Sequence, residues 1–143
     1  MELLIDTNVV LDMFLEREPF VGMSRQVIAL SRRYNNVYSF ISASSVTDIY
    51  YITYKNLKNH QIVREKFKKL FKFVGVVTVT DKDIHAAFAL DWKDFEDSVQ
   101  YAVAKSNNFD GIVTRNMQGF TDDAVKIFTP EELCAHVEKN FKE

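Results

Sequence analysis

Leu3-Leu4-Ile5 is an unbroken apolar run that stops at Asp6-Thr7-Asn8, and from there Val9, Val10, Met13 and Phe14 recur at helical spacing. A short apolar run closed by polar residues suits a strand covered on both faces, and the change of period marks a strand-to-helix turn. Residues 20 to about 34 set Val27, Ile28 and Leu30 against Arg25, Gln26, Arg32 and Arg33, a surface helix with one buried stripe that Asn35 and Asn36 end. Residues 37–42 read as a second strand. The following SASSVTDIYYITYKNL reads as a helix with Val46, Ile49, Ile52 and Leu57 on one side.

Further on, a helix is predicted from about 61 to 73, a β-branched strand over 74–80, and short helices over about 81–89 and 94–105. DGIVT at 110–114 is a strand with the loop RNMQGF behind it, and AVKIF at 124–128 reads as an edge strand. Thr129-Pro130-Glu131-Glu132 starts the last helix: Thr caps, Pro takes the first helical position, and Glu sits three residues past the cap. Strands alternating with helices throughout predict an α/β domain of three layers, a central parallel sheet between helices. In such sheets ligands bind at the carboxyl ends of the strands.

That rule gathers the acids. Asp6 ends the first strand, Asp48 lies in the first turns of the helix after the second, and Asp94, Glu96 and Asp97 open the helix that leads to DGIVT. Carboxylates brought together raise one another's pKa unless a cation neutralises them. Mg²⁺ or Mn²⁺ is the natural partner: a hard ion that takes oxygen ligands, bridges to phosphates and activates water for phosphodiester hydrolysis. Each acid also has a plainer reading. Asp6 or Thr7 can cap the next helix, and Asp94 with Asp97 resembles a capping box with a shorter acid. Asp12, Asp81, Asp83 and Asp91 read as caps or solvated surface.

At 143 residues the chain fits one domain, and 47% hydrophobic with 27% charged residues is a folded composition. A net charge of -2 gives no global basic field, so nucleic acid would have to be held by a local patch or by metal ions. REKFKKLFKF at 64–73 offers such a patch if its lysine face lies beside the acids, and is otherwise a solvated face over a core stripe. Tyr50, Tyr51 and Tyr54 either stack on unpaired bases or pack against protein. Cys134, the single cysteine, reads as a small buried apolar residue. No signal peptide and no apolar stretch of about 18 residues is present, which predicts a cytoplasmic protein with no membrane contact. His60, His85 and His136 have no paired spacing on one helix, which argues against a zinc site. Without a Gly-rich phosphate loop there is no support for P-loop or Rossmann nucleotide binding. Asn8 stands where a haloacid-dehalogenase phosphatase needs Asp, and Thr114-Arg115 stands where a receiver domain needs Lys.

The order LLIDTNVVLD, SSVTDIYYI, DFEDSVQYAVAKSNNFDGIVTRNMQGF and a TPEE helix resembles the PIN-domain ribonucleases, the family of the VapC-type toxins of bacterial toxin–antitoxin pairs, over nearly the whole chain. The resemblance implies an endoribonuclease dependent on Mg²⁺ or Mn²⁺, in which Asp6, Asp48 and Asp97 hold the metal and carry catalysis. Beside these acids, Asp94, Thr7, Asn8, Thr114 and Asn116 are expected to support the site, and Arg115, next to it, to contact RNA. An RNA substrate, an antitoxin partner and a homodimer follow from the same likeness. Two positions depart from the family pattern. Asp48 falls where the family has Glu, one methylene longer. After the last inner strand, TRNMQGF lacks the acid that the family carries either directly after Thr-Arg or just before the Phe. The alternative reading is therefore a catalytically weakened or inactive PIN-like module that binds RNA or protein.

Overall fold

The computed structural model describes residues 1–143. Five strands, β1 (Glu2–Ile5), β2 (Tyr38–Ser42), β3 (Val74–Val77), β4 (Gly111–Val113) and β5 (Lys126–Phe128), form one parallel sheet in the order β3-β2-β1-β4-β5. Seven helices connect and flank them: α1 (Thr7–Phe14), α2 (Val21–Arg33), α3 (Ala43–Leu57), α4 (His60–Leu70), α5 (Asp81–Leu90), α6 (Phe95–Ser106) and α7 (Pro130–Asn140).

The period-2 geometry of β1 sorts its side chains between two cores. Leu3 and Ile5 join Val9, Val27, Ile49, Phe67 and Leu133 on the face covered by α1 to α4 and α7. Leu4 points the other way, to Tyr101, Ala104 and Phe109, where α6 and α5 lie. Both faces of the central strand are dry, which is why its sequence is continuously apolar. The three-layer α/β/α expectation holds.

Element boundaries shift for local reasons. The predicted strand at 74–80 is paired only over Val74–Val77, because its one neighbour, β2, ends at Ser42, where α3 begins. AVKIF pairs over Lys126–Phe128, matching the three residues of β4, and lies at the sheet edge as expected. The helix predicted to 73 ends at Leu70. No helix is long and apolar enough to cross a membrane.

Strand order reverses at β1: the chain builds outward through β2 and β3, then returns to β1's other side with β4. The connections on the two sides depart in opposite directions and leave a crevice at the carboxyl ends of β1 and β4. Asp6 and Thr114 are the residues that follow these two strands.

Candidate active site

Asp6 is 4% exposed and is the focus of converging donors. It caps α1, with Oδ1 accepting from the Thr7 amide at 2.8 Å and from Gln100 Nε2 at 3.4 Å. Its Oδ2 accepts from the Thr114 hydroxyl at 2.7 Å and from Asn8 Nδ2 at 3.5 Å. The two readings of Asp6 are therefore compatible, since one oxygen serves the helix end while both remain fixed by side chains from β4's end and α6. Burial is the main influence on its acidity and pushes its pKa up, against the opposing pull of these donors.

The polar net extends across the crevice. Gln100 Nε2 also donates to Ser45 Oγ at 2.9 Å, the Thr7 hydroxyl to the same oxygen at 3.1 Å, and Ser42 and Ser45 hydroxyls meet at 2.8 Å. Asn8 Nδ2 also reaches Thr114 Oγ1 at 3.3 Å, and the Asn116 amide donates to that hydroxyl at 3.1 Å. Gln100 Oε1 is buried and has no partner.

Asp94 caps α6 by accepting from the Asp97 amide at 3.1 Å, the first half of the capping box in its plainer reading; the Asp97 carboxylate does not return the bond. The same turn aims acids at Asp6. Asp97 is half-buried, and burial together with the charges of Asp6, Asp94 and Glu96 pushes its pKa up to about 7. Glu96 is raised by burial and by Asp6, Asp48 and Asp94, partly offset by the Thr7 hydroxyl. Asp48, exposed on α3, thus lies within electrostatic reach of the group. None of these five carboxylates pairs with a Lys or Arg.

The carboxylates approach without closing on a common centre: no trio of His, Cys, Asp or Glu side chains stands at ligand spacing. The donor set nonetheless suits a hard, hydrated cation. All its members are oxygens, the negative charge is unbalanced, and an orphaned amide oxygen lies in the same net.

Gly119 occupies the position just before Phe120 where the family carries an acid. A Cβ built there would collide with Asp97 Oδ2, so the space from which a side chain at 119 would start already holds the Asp97 carboxylate.

One sequence expectation is overturned. Asp12 is neither cap nor solvated surface: it is 1% exposed, with Arg115 forked onto it through Nε–Oδ2 at 2.8 Å and a second guanidinium nitrogen to Oδ1 at 3.2 Å. Arg115, expected to touch RNA, has its guanidinium committed to that fork and lies over the Phe20 ring at 4.1 Å. Lys66 and Lys69 do not face the acids; they border a groove with Met13, Phe14 and Phe73, towards the edge where β3 begins. The plainer reading of that segment holds, with Val63, Phe67 and Leu70 buried beneath exposed lysines. Tyr50 and Tyr54 stack on His60, and Tyr51 is exposed. Gln100 and Ser45 also belong to the site and are not among the residues the sequence points to. Spacing was their signal: Gln100 follows Asp97 by three and Ser45 precedes Asp48 by three, one helical turn in each case.

Residues 2–118 match the profile of the PIN domain. The chain is similar to ribonuclease VapC1 of Aquifex aeolicus, 25% identical over 136 residues covering 91% of each chain. Among solved structures it resembles a toxin–antitoxin complex from Klebsiella pneumoniae, with a TM-score of 0.67 and 18% identity over 90% of this chain and 97% of that one. VapBC2 of Rickettsia felis, bound to a DNA fragment from its promoter, gives a TM-score of 0.69 at 12% identity over 90% and 98%.

Proposed function

From the premise that this chain belongs to the PIN-domain family, we propose that it is a Mg²⁺- or Mn²⁺-dependent endoribonuclease and the toxin of a toxin–antitoxin pair. The observation that carries the reading is the unpaired acid group at the switch point of the sheet, with the Asp97 carboxyl pushed up to about 7. Similarity to a ribonuclease along nearly the full chain supports the substrate, and resemblance to toxins solved with their antitoxins supports the partner.

Asp6 and Asp97 would hold the cation most directly, with Asp48, Glu96 and Asp94 adding charge around them. When bound, the cation supplies charge neutralisation at the phosphate and a water acidic enough to attack near neutral pH. The chain's own contribution is preorganisation. Four donors keep Asp6 from turning away, with Thr7 and Gln100 holding Oδ1 and Thr114 and Asn8 holding Oδ2. Near pH 7 the Asp97 carboxyl is only partly ionised without the ion and must lose its remaining proton to become a ligand. Cation binding therefore liberates protons and tightens from pH 6 to pH 8.

At Gly119, where the late acid is missing, the Asp97 carboxylate fills the space from which a side chain would start, so an acid placed there would displace Asp97. The test is calorimetric titration with Mn²⁺ alongside cleavage of single-stranded RNA, for wild type and Asp6→Asn. Binding and cleavage in the wild type, both lost in Asp6→Asn, support the enzyme. Binding of RNA without Mn²⁺ uptake or cleavage supports the non-catalytic alternative. Co-expression with a neighbouring antitoxin that lifts growth arrest tests the partner, and sedimentation of the purified chain tests the homodimer.

A further inference from the structure

We infer that the Asp12–Arg115 fork, braced by Phe20, is a positioning element that holds the loop after β4, and through it Asn8 and Asp97, in the cation-binding arrangement. Arg115 acts through these neighbours and does not contact RNA. The inference rests on the acid-site reading above.

The geometry forms a continuous chain. Asp12 is buried in α1 and its carboxylate meets two guanidinium donors of Arg115, with Arg17 at 3.6 Å as a second cation. A planar fork on a buried carboxylate fixes direction as well as distance, which an ammonium on a flexible stem does not. Phe20 covers the outer face of the guanidinium at 4.1 Å. With its side chain so anchored, Arg115 donates its own amide to Asn8 Oδ1 at 3.3 Å. That bond sets which end of the Asn8 amide faces the crevice, so that Nδ2 points to Thr114 Oγ1 and Asp6 Oδ2. From the same root the loop runs through Asn116, whose amide donates to Thr114 Oγ1, to Gly119 against Asp97. One anchored residue thus governs the surroundings of both acids that belong to different layers of the site.

Partners that orient ligands from behind typically change metal affinity by about 10–100-fold when altered. Arg115→Lys keeps the charge and the fold while losing the fork. Four quantities are measured on it: Mn²⁺ affinity by calorimetry, kcat and KM on single-stranded RNA, thermal unfolding, and the NMR resonances of the Asn8 side-chain amide and the Gly119 backbone amide. The expected result is Mn²⁺ binding weakened by about tenfold or more, kcat reduced, KM for RNA at saturating Mn²⁺ unchanged, and both resonances shifted. Asp12→Asn, which also breaks the charge pair, should shift the same resonances and weaken Mn²⁺ in the same direction. A raised KM with unchanged Mn²⁺ affinity would make Arg115 an RNA contact and overturn the inference. Lower stability with both resonances in place would make the fork structural only, which also overturns it. If wild type binds no Mn²⁺, the acid-site reading fails, and the resonances still decide whether the fork positions Asn8 and the loop.

Discussion

Asp6 illustrates how one carboxylate can be a structural cap and still be energetically uneasy. Its burial raises its pKa although four donors surround it, so the desolvation of the charge outweighs what the hydrogen bonds return. Asp6→Asn removes that charge and keeps Oδ1 as an acceptor for the Thr7 amide and Gln100, while the Thr114 hydroxyl and the Asn8 amide lose their acceptor at Oδ2, a loss set against relief of the buried, mutually repelling charge. The substitution should leave the melting temperature of the metal-free protein unchanged or higher while abolishing cation binding; a melting temperature several degrees lower would contradict this. Asp97 gives a pH dependence of definite sign. Its carboxyl rises from an ordinary 3.8 to about 7 in the folded chain, so between these values the folded state holds more protons than the unfolded one. That contribution to stability is full below about pH 4 and lost as pH rises through about 7. Without divalent cations, the stability difference between wild type and Asp97→Asn should therefore change across this window, wild type losing ground as pH rises from 5 to 8. Parallel curves for the two proteins would refute the assignment.

At the scale of elements, the cap chemistry visible in the sequence carries through. Thr80 and Asp83 form a reciprocal capping box on α5, and the buried Asp83 carboxylate also accepts from the Ser106 hydroxyl at 2.7 Å, tying α5 to α6. Thr80→Ala should cost about 1 kcal/mol in chemical denaturation and leave cleavage unchanged, because the box lies outside the acid cluster. The strand-to-helix turn at Asp6 and the Thr129-Pro130 helix start were legible because period changes and caps are local signals. Strand ends were less so: residues 78–80 keep β-branched character but have no partner once β2 gives way to α3. Legibility of the site divides along the same line. Asp6, Asp94 and Asp97 sit at element ends that the fold rule brings together. Asp12 looked like an ordinary helix surface residue, and only the tertiary approach of Arg115, 103 positions away, makes it a buried ion pair. Gln100 lies one helical turn after Asp97, and its reach to Asp6 and Ser45 depends on how α6 packs over the sheet.

Over the whole molecule, the five site acids gather near the carboxyl ends of the strands, while Lys66 and Lys69 border a groove towards the opposite edge together with Glu16 and Arg25. Replacing both lysines with alanine should leave KM for a short single-stranded RNA unchanged; a marked rise would place RNA on the far edge and require a longer track around the protein. Cys134 fits the same economy of chemistry, since burial pushes its thiol up to about 11 and away from reactivity. The chemistry proposed for the chain is thus concentrated where strand order reverses, in acids that lack any cationic side-chain partner. The most direct measurement is the rate of single-stranded RNA cleavage as Mn²⁺ is titrated into metal-free protein, with Asp6→Asn prepared and assayed in parallel. The rate should rise from zero and saturate with Mn²⁺ in the wild type and stay at background in Asp6→Asn. Cleavage that persists in chelator, or survives in Asp6→Asn, would contradict this.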